Sequence, residues 1–159
     1  MRITLAAIGQ MKNGPERELV DRYADRFAKT APAVGLEFKG VNQSGESRAR
    51  DGETRKREEA KALLGDDSQA RLIAFDERGK PISSQDFANL IGKWRDEGAK
   101  SLQIVIGGAD GLHESVREKA DRIVSFGALT LPHQLVRVAV CEQLYRAVTI
   151  LSGHPYHRE

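Results

Sequence analysis

The sequence is short of nearly everything that would announce a specialised class. It has one cysteine in 159 residues, Cys141, so no internal disulfide can form and no thiolate cluster can gather a metal; a reducing, cytoplasmic setting is the expectation. Formal net charge is only +2 at pH 7, so any nucleic-acid site must come from where the cations sit rather than from their surplus. No apolar run is long enough to span a bilayer, and MRITLAAIGQ opens like a strand rather than a charged head with an apolar segment, so neither a leader nor a membrane span is expected. Aromatics make up 6%. G-x-G-x-x-G at a first βαβ unit and G-x-x-x-x-G-K-[ST] are both missing, which removes the main support for nicotinamide and ATP binding.

What is present is an ordinary globular composition, 40% hydrophobic and 30% charged, in a length that suits one domain spanning residues 1–159. Short apolar runs alternate with amphipathic stretches, the pattern of an α/β fold with a parallel sheet. Strands are expected at Arg2–Ile8, Val34–Val41, Arg71–Phe75, Ser101–Ile106 and Ile123–Phe126. Helices are expected from Gly14-Pro15-Glu16, over Glu53–Leu64, after a Ser83 or Ser84 cap, from His113 to Asp121, and from His133 to Ser152, where Gly153 stops the last. Residues 42–52 (NQSGESRARDG) have almost no apolar side chain and read as a mobile loop, and Asp76–Pro81 as a turn.

In parallel sheets ligands bind at the carboxyl ends of strands, and three segments fall there: Phe75–Lys80, Gly107–Gly111 and Gly127–His133. The glycine pair Gly107-Gly108 suits either a tight turn or a close approach of ligand to backbone. The loop Ala128-Leu129-Thr130-Leu131-Pro132 is unusually apolar for a connection; it should be covered by packing, by a partner subunit or by an apolar ligand face. On the last helix Arg137 falls inside the broad apolar face and requires a partner, an anionic ligand or a route to solvent. Glu142 and Arg146 are spaced as a surface pair. The tail, His154-Pro155-Tyr156-His157-Arg158-Glu159, concentrates groups that stack on bases and contact phosphate; two nearby histidines without a third ligand do not define a metal site.

VIGGADG (105–111), ALTLPHQLVRVAVCEQLYRA (128–147) and HPYHRE (154–159) together resemble the RlmH family, knotted methyltransferases of the SPOUT class. The similarity takes in FDERGKPISS (75–84) and MRITLAAIGQMK, so it runs the length of the chain. It is weakest over 42–65, and Phe75 stands where the family usually has leucine. The resemblance implies a parallel-sheet SPOUT fold whose C-terminal segment is threaded as a trefoil knot. It implies a homodimer, without metal, that transfers methyl from S-adenosylmethionine to N3 of a pseudouridine in 23S rRNA at the ribosomal subunit interface. Carried over by position, Phe75, Gly108, Gly127, Ala128, Leu129, Thr130, Leu131 and Pro132 are the donor pocket. Arg137, Arg146, His154, Tyr156, His157 and Arg158 are the RNA contacts, with Lys80 as a further cation. His133, Glu142, Arg137 and the tail histidines stay open as catalytic candidates, as does the tail's place in its own subunit or its partner's. Two rivals are a knotted enzyme acting on another RNA such as tRNA, and a non-catalytic α/β module binding nucleotides or the ribosome.

Overall fold

A computed structural model of the chain describes residues 1–65 and 67–158. Five strands form one sheet in the order β2-β1-β4-β3-β5, every pair parallel: β1 (Arg2–Ile8), β2 (Glu37–Ser44), β3 (Arg71–Pro81), β4 (Ser101–Ile106) and β5 (Arg122–Ser125). Helices cover both faces, as a parallel sheet requires when neither face can meet water. On one side α1 (Pro15–Thr30), α3 (Ser84–Asp96) and α5 (His133–Leu151) pack on Ile3, Leu5, Ile73, Phe75, Ile104 and Ile106. On the other, α2 (Gly52–Leu64) and α4 (Glu114–Lys119) cover Ala6, Ile8, Ala74 and Val105. The strict alternation of these two sets along each strand is the period-two geometry of the pleat. Among the described residues no helix is long and apolar enough to cross a membrane.

Local chemistry sets the ends. Pro15 sits in the first turn of α1, where its missing N–H costs nothing. The side chains of Asp51 and Ser83 cap α2 and α3 by accepting from the N–H of Thr54 and Asp86.

Three stretches differ from the sequence expectation. Residues 31–34 form a 3-10 turn that Gly35 ends at φ +71°, so β2 begins at Glu37, and Asn42–Ser44, expected in a loop, extend it beside Ala6–Ile8. As an edge strand β2 tolerates polar residues. Residues 76–81 are not a simple turn. Val124 of β5 is matched by both Phe75 and Lys80, so β3 bulges between these points and then rejoins the sheet. Gly79 makes this possible: a Cβ there would lie 2.6 Å from the carbonyl carbon of Val124 and 2.7 Å from its nitrogen. Finally, 45–51 are strapped down. Glu59, buried on α2, accepts from the Ser47 N–H at 3.0 Å, and Arg55 holds the carbonyls of Ala49 and Arg50 at 2.9 and 3.0 Å.

Candidate active site

The carboxyl ends of β3, β4 and β5 open into a cavity of about 240 Å³. One wall is apolar, made by Phe75, Ile106, Leu112, Val124 and Leu131; Phe75 and Phe126 stack with ring centroids 5.1 Å apart. The opposite wall is backbone, the loop Gly107–Gly111, closed on itself by a Gly111 N–H to Gly108 carbonyl bond of 3.0 Å. Two of its glycines leave little or no room for a side chain: a Cβ on Gly107 would lie 2.8 Å from the Gly111 backbone, and one on Gly108 3.0 Å from the Ile8 side chain. Of the sequence-derived donor positions, Phe75, Gly108, Gly127, Leu129, Thr130 and Leu131 line the cavity, while Ala128 and Pro132 do not. Of the three covers expected for this loop, packing within its own chain is excluded, with Leu129 83% and Leu131 39% exposed.

Both charge signs reach this cavity: Lys56, Arg78 and Arg117 with Asp76, Glu77 and Asp110. Arg117 is the fixed point. It bonds Asp76 at 3.1 Å and Glu114 at 2.7 Å, and its side chain is only 10% exposed. Burial pulls its pKa down, but the bonds to Glu114 and Asp76 outweigh this and hold it above its ordinary value. Sequence reading passed over Arg117 because its partner Asp76 lies 41 residues away. Arg55 reaches Asp110 with Nε at 2.6 Å and Nη2 at 3.2 Å, and this hydrogen-bonded pairing holds the Asp110 carboxyl below its usual range. Cavity size, apolar wall, backbone donors and paired charges together fit a purine nucleoside carrying a zwitterionic amino-acid tail.

His133 opens α5 and lines the cavity mouth. Its Nε2 lies close to Gly9, where an added Cβ would sit 3.4 Å from it and 3.3 Å from Glu46 Oε1. One turn on, Arg137 corrects the sequence expectation. It is 0% exposed, so it can touch neither RNA phosphate nor a reacting atom at the cavity. Nη2 donates to the carbonyls of Ile8 and Gly9 at 2.9 and 3.0 Å, and Nη1 to Gln43 Oε1 at 3.0 Å. Desolvation, chiefly, lowers its pKa, and its buried Nε has no partner. Arg137 therefore pins α5 to the carboxyl ends of β1 and β2. Cys141, one turn further, is pushed up to about 12 by burial and is an inert thiol.

Glu142 is a second correction: it is not among the residues lining the cavity. Its Oε1 takes Arg146 Nε and the Tyr156 hydroxyl, both at 3.0 Å, and its Oε2 takes the Gln143 amide at 2.8 Å. This carboxylate is the hub of a hydrogen-bonded cluster. Around it the tail folds back on its own helix. The Tyr156 ring lies 4.8 Å from that of Tyr145, edge to face, and Arg146 is 4.9 Å over Tyr156. Burial and then hydrogen bonding raise the Tyr156 pKa, so its hydroxyl stays protonated. His157 reaches Arg146 at 3.3 Å, whereas His154 and Arg158 stand exposed. Glu159 lies outside the described residues. Among the described residues no group of three or more His, Cys, Asp or Glu side chains is placed to hold a metal.

Comparison with known proteins matches the whole of this architecture. The family model described as "Predicted SPOUT methyltransferase" covers residues 1–157. Over 99% of both chains, the sequence is 58% identical to a Rhizobium etli protein named ribosomal RNA large subunit methyltransferase H. Proteins of the same name from Mesorhizobium japonicum and Rhizobium meliloti are 57% and 56% identical over the same shares. A chain this similar from end to end belongs to the SPOUT methyltransferase family, in the RlmH branch.

Proposed function

We propose that this chain transfers the methyl group of S-adenosylmethionine to N3 of a pseudouridine in 23S rRNA, acting as a single catalytic domain paired in a homodimer on the assembled ribosome in the cytoplasm. The observation that carries the reading is the end-to-end identity of 58% with a ribosomal RNA large subunit methyltransferase H. The cavity supports it, because its shape and charge suit this donor. Phe75, Leu131 and the loop 127–131 would enclose the adenine; the Gly107–Gly111 backbone would approach the ribose; the charged rim would hold the amino-acid tail.

When bound, S-adenosylmethionine supplies a methyl carbon activated by positive sulfur. The chain's task is then to align the acceptor nitrogen and to remove its proton. We assign the proton to His133, because it alone among the sequence candidates lines the cavity. Arg146, Tyr156, His157 and the exposed His154 and Arg158 form the RNA side, with Arg146 and Tyr156 pre-set by Glu142 and His157 by Arg146. Labelled donor offered to free 23S rRNA, large subunits and whole ribosomes, with mapping of the product, tests this. A pseudouridine methylated at N3 in whole ribosomes is expected; label confined to tRNA, or no transfer at all, refutes it.

A further inference from the structure

The segment 45–52 does not line the cavity above, although the start of α2 brings Lys56 and Arg55 to it, and the resemblance is weakest there. Its geometry is that of a built surface. Ser47 is held through its N–H by buried Glu59 at 3.0 Å and through its hydroxyl by Glu58; Ala49 N–H closes on the Ser47 hydroxyl at 3.1 Å. Arg55 clamps the next two carbonyls and is itself locked on Asp110, a cavity residue. Asp51 then caps the helix through Thr54 N–H at 2.8 Å. So the loop is mounted rigidly on the wall of the donor cavity by side chains that are already neutralised or spent.

The remaining cations are not spent. Arg48, Arg50 and Arg57 are exposed, and among the described residues none has a carboxylate within 4.0 Å. The nearby acids are otherwise engaged or set apart. Glu53 pairs with Lys56 and His113, Glu58 takes Ser47, and Glu46 stands at Gly9 toward His133. Guanidinium groups on a fixed loop beside a methyl-donor cavity suit phosphate, since the backbone that carries them is already ordered before RNA arrives. We infer that Arg48, Arg50 and Arg57 are a second RNA-backbone contact, separate from the tail. This rests on the rRNA reading proposed above.

The test uses the full chain, a 23S rRNA fragment carrying the target stem-loop, intact large subunits and whole ribosomes. For Arg48→Ala/Arg50→Ala and for the triple variant with Arg57→Ala, RNA affinity should fall at least about tenfold at low salt. The slope of log affinity against log salt should shrink by about 0.7–0.9 for each phosphate no longer neutralised. S-adenosylmethionine affinity by calorimetry should not move, and Arg48→Lys/Arg50→Lys should restore most of the slope because it keeps the charge. Unchanged affinity and slope in the variants, with wild-type RNA binding intact, would overturn the loop assignment alone. Weaker binding to subunits with no change on naked rRNA would overturn it in favour of a ribosomal protein contact. A wild-type chain that binds neither the fragment, large subunits nor whole ribosomes would sink the rRNA reading and this inference together.

Discussion

Helix α5 is flanked by two segments that treat their chemistry in opposite ways. Before it, the loop 126–132 leaves large apolar groups in water, with Leu129 83% exposed. After it, the tail draws polar groups inward, tying Tyr156 and Arg146 to a single carboxylate. Exposed leucines gain nothing within one copy of the chain, so their return must come from a ligand or a second copy. The tail is held by contacts within its own chain, Tyr156 against Tyr145 and Arg146. One end of the helix is unfinished and the other is complete. The two arginines repeat the contrast: Arg137 is sunk among carbonyls without a carboxylate, and Arg146 sits on the surface with one.

The strongest test of this contrast is to remove each arginine. Arg137→Ala strands the carbonyls of Ile8 and Gly9 and empties a buried volume, so unfolding in urea should show a loss of about 3–5 kcal/mol. Arg146→Ala, a partly exposed i,i+4 pair, should cost about 0.5 kcal/mol. Equal losses would erase the distinction. Next comes the tail. Removing residues 154–159 should lower RNA methylation roughly 100-fold, about 2.7 kcal/mol of transition-state stabilisation, while calorimetry finds donor binding intact; full activity would show that the tail's order serves only the helix. Of the two effects on function, the smaller is expected at the open loop. Leu129→Asp should weaken S-adenosylmethionine about tenfold, roughly 1.4 kcal/mol, without lowering thermal stability, since the side chain is exposed when no ligand is bound. A stability loss there would mean that the loop is packed after all.

How far the sequence went can be read from the same places. The strands 2–8, 71–75 and 101–106 announced themselves because both faces of a parallel strand are apolar, and Ser83 sits at a helix start for reasons visible within three residues. The cavity was legible as three loops at strand ends, because fold topology brings such loops together. What stayed hidden depends on distant partners. Asn42–Ser44 joined the edge strand through pairing with β1. Arg137 was misjudged because its acceptors are 128 and 129 residues away and are backbone atoms, to which a sequence pattern gives no name. Loop 45–51 looked unanchored because its clamp ends on Asp110, 55 residues from Arg55.

The tight passage of Gly79 against Ile123–Val124 has a thermodynamic reach beyond local fit. β5 has four residues, is matched on both sides of the bulge in β3, and supplies Val124 and Ser125 to the cavity. A donor seated there would touch Val124 and Ser125, and so would bind the state in which β5 is docked. Occupancy and docking would then be linked, each bound donor favouring the sheet with its short edge strand in place.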